Sequence, residues 1–317
     1  MASKKRNESK KTDPRRLRTY SFLATFAVII VIIGASYYQT LPTIEHIPDT
    51  FVFNSQEWMP YVPTDAEFVG YINYKQAYFV TGNSSLFGES PLIQLPQLGF
   101  SIIPLDITYE VAIQLPEPKY SGSAILLQVS EGKQASLSQE LASVNLTKVH
   151  RPLSYDGFAL YTLLMQEIGD KSANPGYLAI VNHHLLLSND QTTGLQNVQA
   201  ILDQISSGRE GLFDDVTVRR SVYATGVTDQ TYVALFVGRF PTQLNDTVMA
   251  TKSVIGNGAS IQVSRALLFP SSDIALQRLD QAHKVYRDAD SYRILDAFLV
   301  VTYSYPPAKI QSEIVGI

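Results

Sequence analysis

Between Arg18 and Glu45 the chain carries no charged side chain, and residues 22–33 inside that gap read FLATFAVIIVII. Nine of those twelve are Phe, Leu, Val or Ile: Phe22, Leu23, Phe26, Val28, Ile29, Ile30, Val31, Ile32 and Ile33. On an insertion scale they favour a bilayer by roughly 3–5 kcal/mol with no charge opposing them. A segment apolar on every face cannot be one side of a solvated domain helix. Tyr20 at one end and Tyr37 and Tyr38 at the other suit the two membrane–water interfaces. A helix from Tyr20 to Tyr38 is roughly 28 Å long, close to a hydrocarbon core of about 30 Å. The expectation is one transmembrane signal-anchor helix over 19–38.

The flanks orient it. Residues 1–18 hold Lys4, Lys5, Arg6, Lys10, Lys11, Arg15, Arg16 and Arg18 against Glu8 and Asp13, a net charge of +6. Lys and Arg stay preferentially on the cytoplasmic side. The basic tail is therefore predicted inside and everything after Tyr38 outside, giving a single-pass protein of the cell membrane with an extracytoplasmic domain. The competing reading is a cleaved signal peptide, with Gly34, Ala35 and Ser36 as small residues where a peptidase cuts. The basic region is long for that, and both readings export the remainder.

That remainder holds 17 Lys and Arg against 27 Asp and Glu, a balance of −10. An acidic surface argues against nucleic acid as a partner, since phosphate binding needs a basic face. No second uncharged run approaches the ~20 residues that span a bilayer. There is no cysteine, which excludes disulfides, thiolate nucleophiles, Cys-ligated zinc and iron–sulfur clusters. About 250 exported residues bury an adequate core without cross-links; the absence of Cys is in keeping with a prokaryotic surface protein. Three sequons lie on the exported side, at Asn83, Asn145 and Asn245, and are candidate glycosylation sites.

Residues 39–63 contain Pro42, Pro48, Pro60 and Pro63 with little periodicity and read as a stalk. Its Phe51, Phe53, Trp58 and Tyr61 point instead to packing on a domain. Strand patterns follow at 67–74, 107–115 and 123–130, then a helical stripe over 133–144. Asp156-Gly157 suits a two-residue hairpin turn between strands 146–155 and 158–164. A second hairpin is expected around Asn182, His183 and His184. Thr193 and Gly208 bracket a helix with Leu195, Val198, Leu202 and Ile205 on one face. A short helix follows over 213–223, and a buried strand over 231–238. Gly256-Asn257-Gly258 is a turn into a strand over 260–269. A helix opens at Pro270-Ser271-Ser272-Asp273, and one last strand runs over 292–303. The order predicts an α+β fold, with largely antiparallel or mixed sheets and helices packed on one face. FVGYINY at Phe68 and YVALFVGRF at Tyr232 echo each other, which suggests two related halves, 64–172 and 173–317.

Pro63-Thr64-Asp65-Ala66 before the first strand, and Gly211-Leu212-Phe213-Asp214-Asp215 after a hairpin–helix block, carry a resemblance. Over about 63–223 the chain resembles single-pass anchored, exported prokaryotic proteins of unknown function. The resemblance implies no activity.

No Gly-x-Ser-x-Gly elbow, P-loop or Gly-x-Gly-x-x-Gly fingerprint is present. His183 and His184 are adjacent on a predicted hairpin, where neighbours point to opposite faces, so a hairpin tip is favoured over a metal site. His46, His150 and His283 are isolated. Asp214-Asp215 could act as an acid/base pair, but glycoside cleavage needs carboxylates about 5–9 Å apart across a cleft. A helix cap is the better reading, with Arg219 and Arg220 on the helix that follows. Eighteen Tyr residues suit a recognition surface or ordinary strands.

These observations lead to no catalytic, metal-binding or cofactor-binding residue. Three functions stay open. The favoured one is a non-catalytic interaction or structural role at the cell envelope, through the bilayer and an unidentified envelope protein or glycan. The second is a tethered solute- or glycan-binding module with a cleft between the halves. The third is an envelope-acting hydrolase using scattered carboxylates.

Overall fold

Runs of β-branched and aromatic residues between turn formers become, in this computed structural model, the strands of one thirteen-stranded sheet with the order β1-β12-β13-β11-β10-β9-β2-β3-β4-β8-β7-β6-β5. The structure describes residues 43–82, 106–116, 123–130, 133, 139, 153–166, 173–188, 192–226, 232–239, 242–256 and 259–315. The predicted membrane helix over 19–38, Asn83, Asn145, His150, Asn257-Gly258 and most of the 133–144 helix lie outside these residues. No helix among the described residues is long and apolar enough to cross a membrane. Residues Ile44–Ile317 form one compact unit.

The strands are β1 (Ile44–Glu45), β2 (Phe68–Asn73), β3 (Ile107–Gln114), β4 (Ser123–Val129), β5 (Leu153–Tyr155), β6 (Phe158–Gln166), β7 (Ala173–Val181), β8 (His184–Ser188), β9 (Tyr232–Gly238), β10 (Met249–Gly256), β11 (Ile261–Leu268), β12 (Ser291–Leu295) and β13 (Phe298–Tyr305). Among the described residues, five α-helices of more than a single turn accompany them: α1 (Tyr74–Thr81), α2 (Gly194–Ser207), α3 (Val216–Ala224), α4 (Ser272–Val285) and α5 (Ile310–Val315). The fold is α+β. Neighbouring strands pair antiparallel except for β1 with β12, which run parallel, so the sheet is mixed.

Two groups of strands share one order. In the first, β2, β3 and β4 meander and the later hairpin returns so that β8 pairs with β4. In the second, β9, β10 and β11 meander and β13 pairs with β11. The groups join where β2 lies antiparallel to β9, Phe68 opposite Gly238 and Ile72 opposite Ala234. The β5–β6 hairpin is an addition to the first group. The pairing of Gln166 with Ala173 carries that group across position 172, and the second group opens at β9. In β9 all seven residues are buried, as expected of a strand covered on both faces.

Helices pack on both faces of the sheet, which corrects the expectation of one. Alternation along a strand sends neighbours to opposite sides. On β13, Leu299, Val301 and Tyr303 join the core under α4, whereas Phe298 and Val300 pack with Ala224 of α3. On β9, Tyr232, Leu235 and Val237 face the core under α2, and Phe236 faces the opposite core with Ala77 and Val80 of α1.

Local signals explain several boundaries. Asp156 (φ 48°) and Gly157 (φ 84°) adopt the left-handed turn the Asp-Gly pair predicts. Ser271 caps α4 by accepting from Ile274 N at 3.3 Å, and Gly208 ends α2 in the left-handed region. Residues 292–303, expected as one strand, are the β12–β13 hairpin instead. Asp296 takes φ 51° there, a conformation Asp tolerates without an Asn-Gly or Asp-Gly signature.

From Ile44 onward the presumed stalk belongs to the folded unit. It forms a strap along the α2/α3 face. Ile44 and Glu45 pair with Ile294 and Leu295, and Ile47 is buried with Phe298 and Val300. The Phe51 ring lies 5.0 Å from that of Tyr223. Trp58, fully buried, stacks on Tyr71 at 5.2 Å and meets Phe213 edge-on at 5.1 Å. Leu212 N donates to Val62 O at 2.9 Å. Gly211 permits that approach, since a Cβ there would lie 2.9 Å from the same oxygen.

Candidate functional site

The strap covers one end of the first strand group, where its aromatic rings meet a cluster of buried Tyr and His side chains. Tyr71 on β2, Tyr109 on β3, His184 on β8 and Tyr232 on β9 are all buried there. The Tyr109 hydroxyl lies 2.7 Å from His184 Nε2. The Tyr61 ring meets the imidazole edge-on at 5.5 Å, and Asn182 Nδ2 donates to Tyr61 Oη at 3.1 Å. Burial disfavours charge on each group. It pushes the Tyr109 and Tyr71 phenols well above their usual range and the His184 imidazole below its usual value, with the nearby Glu57 charge opposing the latter shift. Tyr109 and His184 therefore form a neutral pair at neutral pH. Their hydrogen bond links β3 to β8 at the buried end of the sheet.

Next to this end an open, mainly polar cleft of about 390 Å³ is lined by Asp65, Asp203, Gln204, Ser206, Ser207 and Arg209 among others. Gln204 ties its base together by donating to Arg209 O at 2.9 Å and Pro60 O at 3.2 Å. Asp203 accepts from the Tyr155 hydroxyl at 2.8 Å. Two carboxylates, one guanidinium and the carbonyl end of α2 suit a small polar solute with a cationic group. A second cleft beside α1 is mostly apolar and includes Tyr78 and Phe79; Phe79 is 76% exposed.

A third constellation lies on the other face. Lys252 on β10 is 3% exposed and sits 3.1 Å from Glu313 Oε2 of α5. Arg265, its direct cross-strand partner on β11, reaches the same carboxylate oxygen at 3.8 Å. Burial pulls the Lys252 ammonium below its ordinary range, and the Glu313 charge opposes that.

Residues singled out from sequence fall as follows. Asn182 (φ 51°) forms the turn between β7 and β8; His183 is exposed there, whereas His184 is buried. Asp215 caps α3, accepting from Thr217 N at 2.6 Å and Val218 N at 3.3 Å. Asp214 accepts from Gly211 N at 2.7 Å. Arg219 donates to Asp214 O at 2.9 Å, and Arg220 lies 3.8 Å from Asp296. His46 is mostly exposed and meets Asp296 at 2.8 Å. The His283 ring stacks near Tyr292 at 4.0 Å. Asn245 is exposed on a turn in which Thr247 donates to Leu244 O at 3.0 Å. Lys252 carried no sequence signal, because Arg265 and Glu313 lie on separate elements. In the cleft, Asp203, Gln204, Ser206, Ser207 and Arg209 are near neighbours in the chain, but Asp65 and Tyr155 reach them from distant positions with no recognisable spacing.

Neither a protein-family model nor a curated protein sequence matches this chain. Among solved structures, the chain is similar to TP0453. Its crystal form III aligns with 83% of this chain and 99% of that one, at a TM-score of 0.51 and 11% identity. Crystal forms IV and I each align with 82% of this chain, and with 96% and 97% of theirs, at TM-scores of 0.47 and 0.45 and identities of 9% and 10%. The form III alignment is a likeness of fold, extending over nearly the whole of that protein.

Proposed function

We propose that this chain is a single-pass membrane protein. Its folded unit stands on the extracytoplasmic side and works through non-catalytic contacts with an envelope protein or glycan. The observation that carries this is the charge-free apolar run over 19–44 directly behind a tail of net charge +6. The structural roles of the tempting chemical residues support it: Asp214 and Asp215 are consumed in helix capping, and His184 is locked against Tyr109. Protease added to sealed cells is expected to degrade the unit after Ile44 and spare the basic tail. A folded unit cut only after lysis would overturn the reading.

The polar cleft favours a second reading, a tethered module that binds a small cationic solute or amino sugar through Asp65 and Asp203. Asp203→Asn should abolish that binding in calorimetry. The shared strand order of the two groups supports two related halves as the origin of the fold.

A further inference from the structure

We propose that Lys252 and Arg265 form a carboxylate-binding site whose resident ligand is Glu313 of the C-terminal helix, and that an acidic amphipathic helix of a partner protein takes the same place. The site lies on the folded unit and does not depend on the anchor. Its logic begins with the sheet register. Lys252 and Arg265 stand directly opposite each other on β10 and β11, and like charges in that position repel. A carboxylate between them removes the conflict, and Glu313 supplies it, with Oε2 3.1 Å from Lys252 Nζ and 3.8 Å from an Arg265 nitrogen. Lys252 also donates to the Glu313 main-chain oxygen. Aromatic rings wall the site: those of Tyr286 and Tyr303 lie 5.9 Å from the guanidinium and that of Phe236 lies 6.0 Å from the ammonium. Two cations share one carboxylate, so the site remains attractive to acidic ligands.

The resident shows what fits. Helix α5 places Ile310 and Ile314 in the core on either side of Glu313. A ligand of the pattern Ile-x-x-Glu-Ile on one helical face would reproduce these contacts. The helix has only six residues, far below the ~12–15 at which an isolated helix holds in water. It is joined to β13 through Pro306 and Pro307, so it owes its order to the site and can exchange with a competitor.

The test uses the full chain in detergent and a labelled peptide of the sequence PPAKIQSEIVGI, residues 306–317, followed by fluorescence anisotropy. The wild-type chain should bind it weakly, because its own helix fills the site. Glu313→Gln should bind at least about ten-fold more tightly, the worth of one buried charge pair. Adding Lys252→Met, or replacing the peptide's Glu by Gln, should abolish the gain. Pro307→Gly keeps every site residue and loosens only the connection; it should also raise binding, and it serves if Glu313→Gln fails to fold. If these variants melt cooperatively and bind no better than wild type, α5 is a fixed structural cap and the proposal fails.

Discussion

The two strand groups share an order but are closed at the returning hairpin by different forces. In the first, the β7–β8 turn is held by an aromatic clasp: Tyr61 lies against His184 and is hydrogen-bonded to Asn182, beside the buried Trp58. In the second, the β12–β13 turn is held by polar contacts. Asp296 accepts from Ile47 N at 3.2 Å, meets His46 at 2.8 Å and lies 3.8 Å from Arg220. Both clasps come from the same strap. The difference teaches where the strap's stability resides, because buried aromatic area is worth several kcal/mol whereas exposed ion pairs are worth little.

The sharpest way to break this comparison is Trp58→Ala. It should cost about 3–5 kcal/mol in urea denaturation; a loss below about 1 kcal/mol would show that the strap does not hold the first group. His184→Gln should cost about 1–3 kcal/mol through the Tyr109 hydroxyl left without its partner, and should also change the pH profile. The folded-state value of His184 lies below its ordinary 6.5, so the unfolded chain binds the proton more readily. That contribution to stability is present above pH 6.5 and is lost as pH falls below it. The variant should flatten the stability curve just below pH 6.5; an unchanged slope would contradict the buried neutral pair.

The second clasp should respond less. Asp296→Ala removes the acceptor for Ile47 N and the partner of His46 and Arg220, and should cost about 1 kcal/mol in thermal melts. Arg220→Ala should cost under about 1 kcal/mol, and most of that should vanish at high salt. An Asp296 effect larger than that of Trp58 would reverse the ranking of the clasps.

This contrast also shows what the sequence made legible. The Asp156-Gly157 turn, the Ser271 and Asp215 caps and the apolar β9 strand could be read because each signal is local. The strap could not be placed. Its prolines imitate a linker, and only its aromatics hinted at packing on surfaces supplied by Tyr71 and Phe213. The Asp296 turn was missed because its left-handed residue is followed by Ala, not Gly. Strand β10 was missed because Thr251, Lys252 and Ser253 interrupt its apolar pattern; Thr251 donates to Ser221 of α3 at 2.7 Å, and Lys252 meets Glu313. The cleft draws Asp203, Gln204, Ser206, Ser207 and Arg209 from the end of α2 and just past it, but Asp65 and Leu115 come to it from distant parts of the chain with no spacing to reveal them.

Hydrogen–deuterium exchange at the backbone of 56–62 is the most direct test of the strap. If that segment closes the first strand group, the amides of Tyr61 and Val62, which donate to Trp58 O and Met59 O, should exchange almost as slowly as the central strands β2 and β9. Complete exchange within seconds, at the rate of an unstructured linker, would contradict the account.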